Sequence, residues 1–220
     1  MISLRSKYLP WLFILCLNFL TQDLASGQTY PGRGKYPRKE EIHSINIRYQ
    51  DAKQFPSLDQ NIGLTIGVAP FSDSRRGRQY IGHHMYARKI SSYFISEPFP
   101  LEEAIREFFF EALSNSGIKP IFVPSWDGKR ETLKDLGTDS ILRINIRRFW
   151  IEGESVRRRT KVNMSVYFDI FLGVKEENTV FTQNLYIGKE MIEDNFTPER
   201  LEHFINRTLS NVFDDFFGSL

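Results

Sequence analysis

A chain of 220 residues that is 41% hydrophobic and 25% charged holds one domain with a real apolar core, which excludes collagen-like, disordered and multi-span membrane classes. Its 29 Lys and Arg face 27 Asp and Glu, so no global field points to nucleic acid as a partner. The one cysteine, Cys16, excludes a disulfide framework and a Cys-based zinc site within a single chain.

Residues 1–27 read as a signal peptide. Arg5 and Lys7 make a basic start, Tyr8 to Leu20 an apolar run, and Ala25 and Gly27 a small-residue exit, with cleavage expected after Gly27. Two alternatives stand beside this. An uncleaved anchor takes about 20 apolar residues, and Asn18, Gln22 and Asp23 interrupt this stretch. Lipid attachment at Cys16 takes a small residue just before it, where Leu15 stands. A leader cut after Gly27 sends the chain out of the cytoplasm. Cleavage there leaves a mature chain without cysteine, stabilised by its core alone.

Residues 28–58 divide into a tether, 28–40, with prolines, glycines and basic side chains, and an edge strand over His43–Tyr49. Residues 59–220 form the domain. Leu64, Ile66 and Val68 alternate with small residues in a first central strand that Pro70 ends. Residues 72–89 read as a long exposed loop or hairpin, and Lys89 to Ser96 as a strand. Leu101, Ile105, Phe108, Phe109, Ala112 and Leu113 lie on one helical stripe, with Glu102 and Glu103 in the first turn and Asn115-Ser116-Gly117 as the stop. A short strand, Ile118 to Val123, leads to a short helix ending near Gly137.

A meander follows: Ile141–Ile151, with its register broken near Arg147-Arg148, then Val156–Val174 and Thr179–Met191, turning at Glu152-Gly153-Glu154 and at Lys175–Asn178. The middle strand puts Val162, Met164, Val166, Phe168, Ile170 and Leu172 on one face. Thr197 as cap and Pro198 at the first position open a closing helix with Leu201, Phe204, Ile205, Leu209, Val212, Phe213 and Phe216 on one stripe. The fold class is α+β, a mixed, largely antiparallel sheet of about five to six strands with two main helices packed on one face.

Chemistry-bearing patterns are few. There is no G-x-S-x-G, no G-x-x-x-x-G-K-[ST] and no G-x-G-x-x-G, so nucleophilic and nucleotide sites lack a signature and no cofactor or metal is expected. His83 and His84 are adjacent, and neighbours on a strand point to opposite faces. Asp73, Arg75 and Arg76 lie beyond the first central strand, either as a ligand or partner loop or as a charged turn in which Asp73 caps backbone N–H groups. Arg143, Arg147, Arg148, Arg157, Arg158, Arg159 and Lys161 stand against Glu152 and Glu154. The proposed hairpin gathers these cations near one end, as a contact for anionic lipid, lipopolysaccharide phosphates or an acidic protein, or as a solvated tip that discourages edge pairing. The Phe-rich helix faces read as core, with Phe110 and Phe217 off the main stripe as candidate exposed contacts.

The run Ile66-Gly67-Val68-Ala69-Pro70-Phe71-Ser72-Asp73-Ser74-Arg75 resembles the opening strand and D-x-R turn of the YajG-like family of bacterial envelope lipoproteins. A helix ending Leu113-Ser114-Asn115-Ser116-Gly117-Ile118, then Gly137-Thr138-Asp139-Ser140-Ile141-Leu142, two long strands and a C-terminal helix follow in matching order over residues 62–217. It is also similar to the broader group containing the CsgG, LpoB and TolB N-terminal domains. With the leader, the resemblance implies a non-enzymatic binding or scaffolding module in the periplasm of a Gram-negative bacterium or peripheral to its outer membrane, with an envelope protein partner, and it brings no catalytic residues. The alternatives are an accessory component of lipid or lipopolysaccharide transport and a pore or secretion-assembly accessory of CsgG-like type.

Overall fold

The computed structural model describes residues 40–50, 55 and 58–220. The leader, Cys16 and nearly all of the tether lie outside them. Among the described residues nine strands form one mixed sheet, more than the sequence reading expected, with the expected helices on one face.

The chain order is β1 (Glu41–Ile45), α1 (Leu58–Ile62), β2 (Thr65–Val68), β3 (Ser72–Asp73), β4 (Gly82–Tyr86), β5 (Lys89–Ser96), α2 (Leu101–Asn115), β6 (Lys119–Phe122), a 3-10 turn (Arg130–Asp135), β7 (Ser140–Val156), β8 (Arg159–Val174), β9 (Thr179–Glu193) and α3 (Pro198–Gly218). β7 is the spine. One of its edges pairs antiparallel with β8 from end to end, and β8 continues into β9. Its other edge takes three parallel strands in succession: β2 at Ser140–Leu142, β3 at Asn145–Ile146 and β4 at Ile151–Ser155. The sheet therefore forks, with β6 beyond β2 at one end and β5 then β1 beyond β4 at the other.

Of the two readings of residues 72–89, loop or hairpin, the structure takes the hairpin, with β4 pairing antiparallel to β5, and corrects only its exposure, since β4 lies inside the sheet beside the short β3 segment. β4 escapes notice because its sequence, GHHMY, has no apolar alternation. It sits between β5 and β7, where a Cβ on Gly82 would lie 2.1 Å from the Ile151 carbonyl oxygen, so close backbone approach demands glycine. A second correction concerns the meander: Glu152-Gly153-Glu154 is strand, and the turn falls at Arg157–Arg158. The register shift near Arg147 is present, between Ile146 and Arg148.

α3 begins as its sequence predicts, with the Thr197 hydroxyl accepting from the Arg200 N–H at 3.3 Å and Pro198 in the first turn. α2 ends where Gly117 takes φ +82 and the Ile118 N–H donates to the Leu113 carbonyl at 3.1 Å. Between helices and sheet, Phe108, Phe109, Phe168 and Phe213 are fully buried and Phe213 lies 4.3 to 5.7 Å from the other three ring centres. Phe217 is buried too, at 3% exposure, and packs on Phe109 instead of facing solvent. Each such ring stabilises by about 1.5–3 kcal/mol.

α3 has a second stripe, polar and equally organised. Glu202, Asn206, Ser210 and Asp214 follow one another four residues apart, one above the next on a helix. The extended segment after β1 lies along them. The N–H groups of Asn46, Arg48 and Gln50 donate to Glu202, Asn206 and Ser210 at 2.9, 3.2 and 2.9 Å. The Asn206 amide returns a bond to the Asn46 carbonyl at 2.9 Å, and the Tyr49 hydroxyl donates to Asp214. Side chains of a helix thus satisfy a strand-like backbone that has no strand beside it, while Ile45, Ile47 and Tyr49 enter the core.

Candidate ligand-binding site

The seven cations of the basic stretch do not gather at one end. β7 runs on to Val156, so Arg143 and Arg157 are separated by about 45 Å of extended chain. Arg143 lies opposite Phe171, Arg148 opposite Tyr167, and Lys161 opposite Glu154. Arg147 pairs with Asp169 at 2.7 Å, Arg159 with Asp194 at 3.1 Å and Lys161 with Glu190 at 2.7 Å. Only Arg157, Arg158 and Arg159 share the hairpin tip.

Asp73 and Arg75 serve the fork. Their side chains are 1% and 6% exposed and form a bidentate pair at 2.8 to 3.1 Å. Asp73 also accepts from the Arg75 N–H at 3.0 Å. The guanidinium reaches the carbonyls of Tyr80 and Phe149, both at 3.0 Å. Arg75 therefore bridges the chain before β4 to the middle of β7, a fully bonded buried pair with no donor left to turn outward. Arg76 is exposed and takes no part in that bridge.

Beside this bridge, on the sheet face away from α2 and α3, is an open cavity of about 500 Å³. It lies at the carboxyl ends of the parallel strands β2 and β6, the position where forked or reversing sheets leave a crevice. Ser72 and Ser74 come from the segment after β2, Trp126 from the loop after β6, Arg143, Asn145 and Arg147 from β7, and Asp169 and Phe171 from β8. Alternation explains the set: residues 143, 145, 169 and 171 are the polar or outward half of strands whose other half is core. Trp126 is held because its indole N–H donates to the Thr132 hydroxyl at 3.1 Å, which donates to Asp127 at 2.8 Å. The same loop bonds, from the Lys129 N–H and Thr132, hold the Asp127 carboxyl below its ordinary pKa.

The polar side chains form a chain of bonds. The hydroxyls of Ser72 and Ser74 donate to the Asn145 amide oxygen. The Asn145 amide nitrogen and the Arg147 guanidinium then meet one oxygen of Asp169, at 3.1 and 2.7 Å. Neither serine faces a group that takes a proton, since an amide oxygen is no base. Arg143 differs from its neighbours. Its guanidinium sits 4.7 Å over the Phe171 ring and donates to the Trp126 carbonyl at 3.1 Å, and no carboxylate pairs with it among the described residues. The ring and the carbonyl fix a planar fork of donors at the cavity wall, the arrangement that receives a carboxylate or phosphate. Of the sequence candidates only Arg143 and Arg147 reach this cavity. Ser72, Ser74, Trp126, Asn145, Asp169 and Phe171 were not singled out, and the wet-face alternation of β8 was the one signal pointing to Asp169.

The adjacent histidines part as expected for a strand. His84 lies between Ser155 and Ser91, at 2.7 and 3.0 Å from its two ring nitrogens, and stacks on Phe196. Burial, with the nearby His43 and His83, holds its pKa below 6.5. His83 packs edge-on against Trp150 at 5.4 Å. Among the described residues no group of His, Cys, Asp and Glu is placed to hold a metal, and no helix is long and apolar enough to cross a membrane.

No family model and no curated protein sequence matches the chain. Solved bacterial structures are similar to it in fold. A Xanthomonas campestris protein of the family DUF330 is 13% identical, covering 80% of this chain and 92% of that one at a TM-score of 0.47. A Helicobacter pylori homolog of a neuraminyllactose-binding hemagglutinin is 9% identical, covering 84% and 91% at 0.42. The Neisseria meningitidis lipoprotein GNA1162 is 9% identical, covering 68% and 98% at 0.34.

Proposed function

We propose that this chain is a non-catalytic binding module of the bacterial envelope, exported by its leader, that recognises a protein partner by docking an acidic side chain or terminal carboxylate in the cavity at the fork of the sheet. The observation that carries this reading is Arg143, a cation fixed by Phe171 and the Trp126 carbonyl without an acidic partner among the described residues. A buried or half-buried guanidinium is costly unless paired, and a carboxylate from outside relieves that cost. The leader and the YajG-like resemblance of residues 62–217 support the envelope address.

The test places a photo-crosslinker at Ser125, an exposed neighbour of the cavity, in cells making the full chain. One defined adduct that disappears with Arg143→Gln, but persists with the exposed Arg76→Gln, supports the reading. An adduct indifferent to Arg143→Gln, or no adduct, overturns it.

A further inference from the structure

Two hairpin tips meet at the end of the sheet remote from the cavity. β4 runs parallel beside β7 with Tyr86 opposite Ser155, so the turn Ala87–Arg88, which joins β4 to β5, stands beside the turn Arg157–Arg158, which joins β7 to β8. The sequence reading turns the basic hairpin earlier, at Glu152-Gly153-Glu154, and leaves residues 72–89 as a loop or hairpin without locating this second tip.

The tips combine charge with exposed apolar surface. Tyr86 is 52% exposed, Ile90 40%, Val156 64% and Ile192, from the end of β9, 63%. Arg88, Lys89, Arg157 and Arg158 form no ion pair among the described residues. Of the acids nearby, Asp194 pairs with Arg159, Glu190 with Lys161 and Glu193 with Arg200, and Glu41 lies near His43, while Glu154 stands two residues before the end of β7 and Glu40 just before β1.

The turns themselves carry a second observation. Ala87, Arg88 and Arg157 have φ of +50, +63 and +60, the left-handed conformation that tight hairpins assign to Gly, Asn or Asp. Arg88 and Arg157 are harder on the backbone here than glycine would be, and they set a cation at the apex of each turn.

We infer that the paired tips are a contact surface for an anionic phospholipid bilayer. The four unpaired cations meet lipid phosphates, and Tyr86, Ile90, Val156 and Ile192 enter the interfacial layer, where a tyrosine ring suits both phases. Charge complementarity selects this occupant, and the flanking apolar side chains distinguish a bilayer from a merely acidic surface. The inference is independent of the cavity reading.

The test is cosedimentation of the full chain with vesicles of phosphatidylglycerol and phosphatidylcholine, against phosphatidylcholine alone. The leader and tether are present in every variant, so the tips are read in the difference between lipids and between variants. Replacing Arg88→Gly, Lys89→Ser, Arg157→Gly and Arg158→Ser together is expected to cut partition into the anionic vesicles by about tenfold or more, since each cation near such a surface contributes about fivefold. The melting temperature should hold or rise, because glycine suits two of these positions. Tyr86→Ser with Val156→Ser is expected to remove the binding that survives high salt. A fourfold variant that binds like the wild type overturns the inference, as does equal wild-type binding to both lipids, or competition by soluble polyglutamate as strong as by vesicles. If the fourfold variant unfolds, Arg158→Ser alone, at an exposed turn position, decides by the same comparison.

Discussion

β8 shows two kinds of surface on one strand. Toward the helices, Val162, Met164, Val166, Phe168, Ile170, Leu172 and Val174 are all buried, and any change there is felt as lost volume. On the other face stand Lys161, Asn163, Ser165, Tyr167, Asp169 and Phe171, and the contacts seen there are specific: Lys161 with Glu190, Asp169 with Arg147 and Asn145, and Phe171 under Arg143. The first face carries the main core, while the second holds a smaller apolar cluster of Ala69, Trp126, Leu133 and Ile141 on which Phe171 packs, with the polar contacts beside it. Where the chain departs from that division, as with Arg75 at the fork, a polar group has been drawn into the structural role.

The largest expected effect is on the helix side. Phe213→Ala removes a ring that touches Phe108, Phe109 and Phe168, and should cost about 3–5 kcal/mol in urea unfolding. Asp73→Ala tests the exception, leaving the Arg75 guanidinium buried without its partner. A comparable loss of about 3–5 kcal/mol is expected, and a loss below that of an exposed ion pair would show that Arg75 escapes to water. Asn206→Ala should cost about 1–3 kcal/mol, with faster hydrogen exchange at Arg48, because the segment along α3 loses bonds in both directions.

Next comes acidity. The folded His84 takes its proton below the ordinary 6.5, so the unfolded chain binds more protons as pH falls. Its stabilisation is present above 6.5 and declines as pH drops through the folded pKa. Urea midpoints at about pH 7.5 and pH 5 should show this decline lessened in His84→Gln. The smallest effect belongs to the open face: Arg147→Gln, at 55% side-chain exposure, should change stability by no more than about 0.5 kcal/mol. A larger loss would mean that the cavity wall also holds the fold.

Local pattern made much of this legible. The stripes of α2 and α3, the cap at Thr197, the stop at Gly117 and the alternation of β8 all appear where the sequence puts them. The basic stretch was legible as composition and misplaced in space. Its hairpin turns at Arg157, which has no turn signature, while Glu152-Gly153-Glu154 has one and is strand. The cavity was illegible because its side chains come from four segments, the loops after β2 and β6 and the strands β7 and β8, each unremarkable alone.

By itself the sequence determined α2, α3 and the strands with clear alternation, β2 and β8, and which face of α2, α3 and β8 is apolar, because periodicity of two or 3.6 is written in neighbouring residues. Only the tertiary structure decided that β7 would hold three parallel strands on one edge, that Arg75 would be buried against Asp73, that α3 would seize residues 46–50 and that two cationic turns would stand side by side. Those outcomes depend on pairings between residues far apart in the chain, whose partners are chosen when the sheet closes and every buried polar group must find a bond.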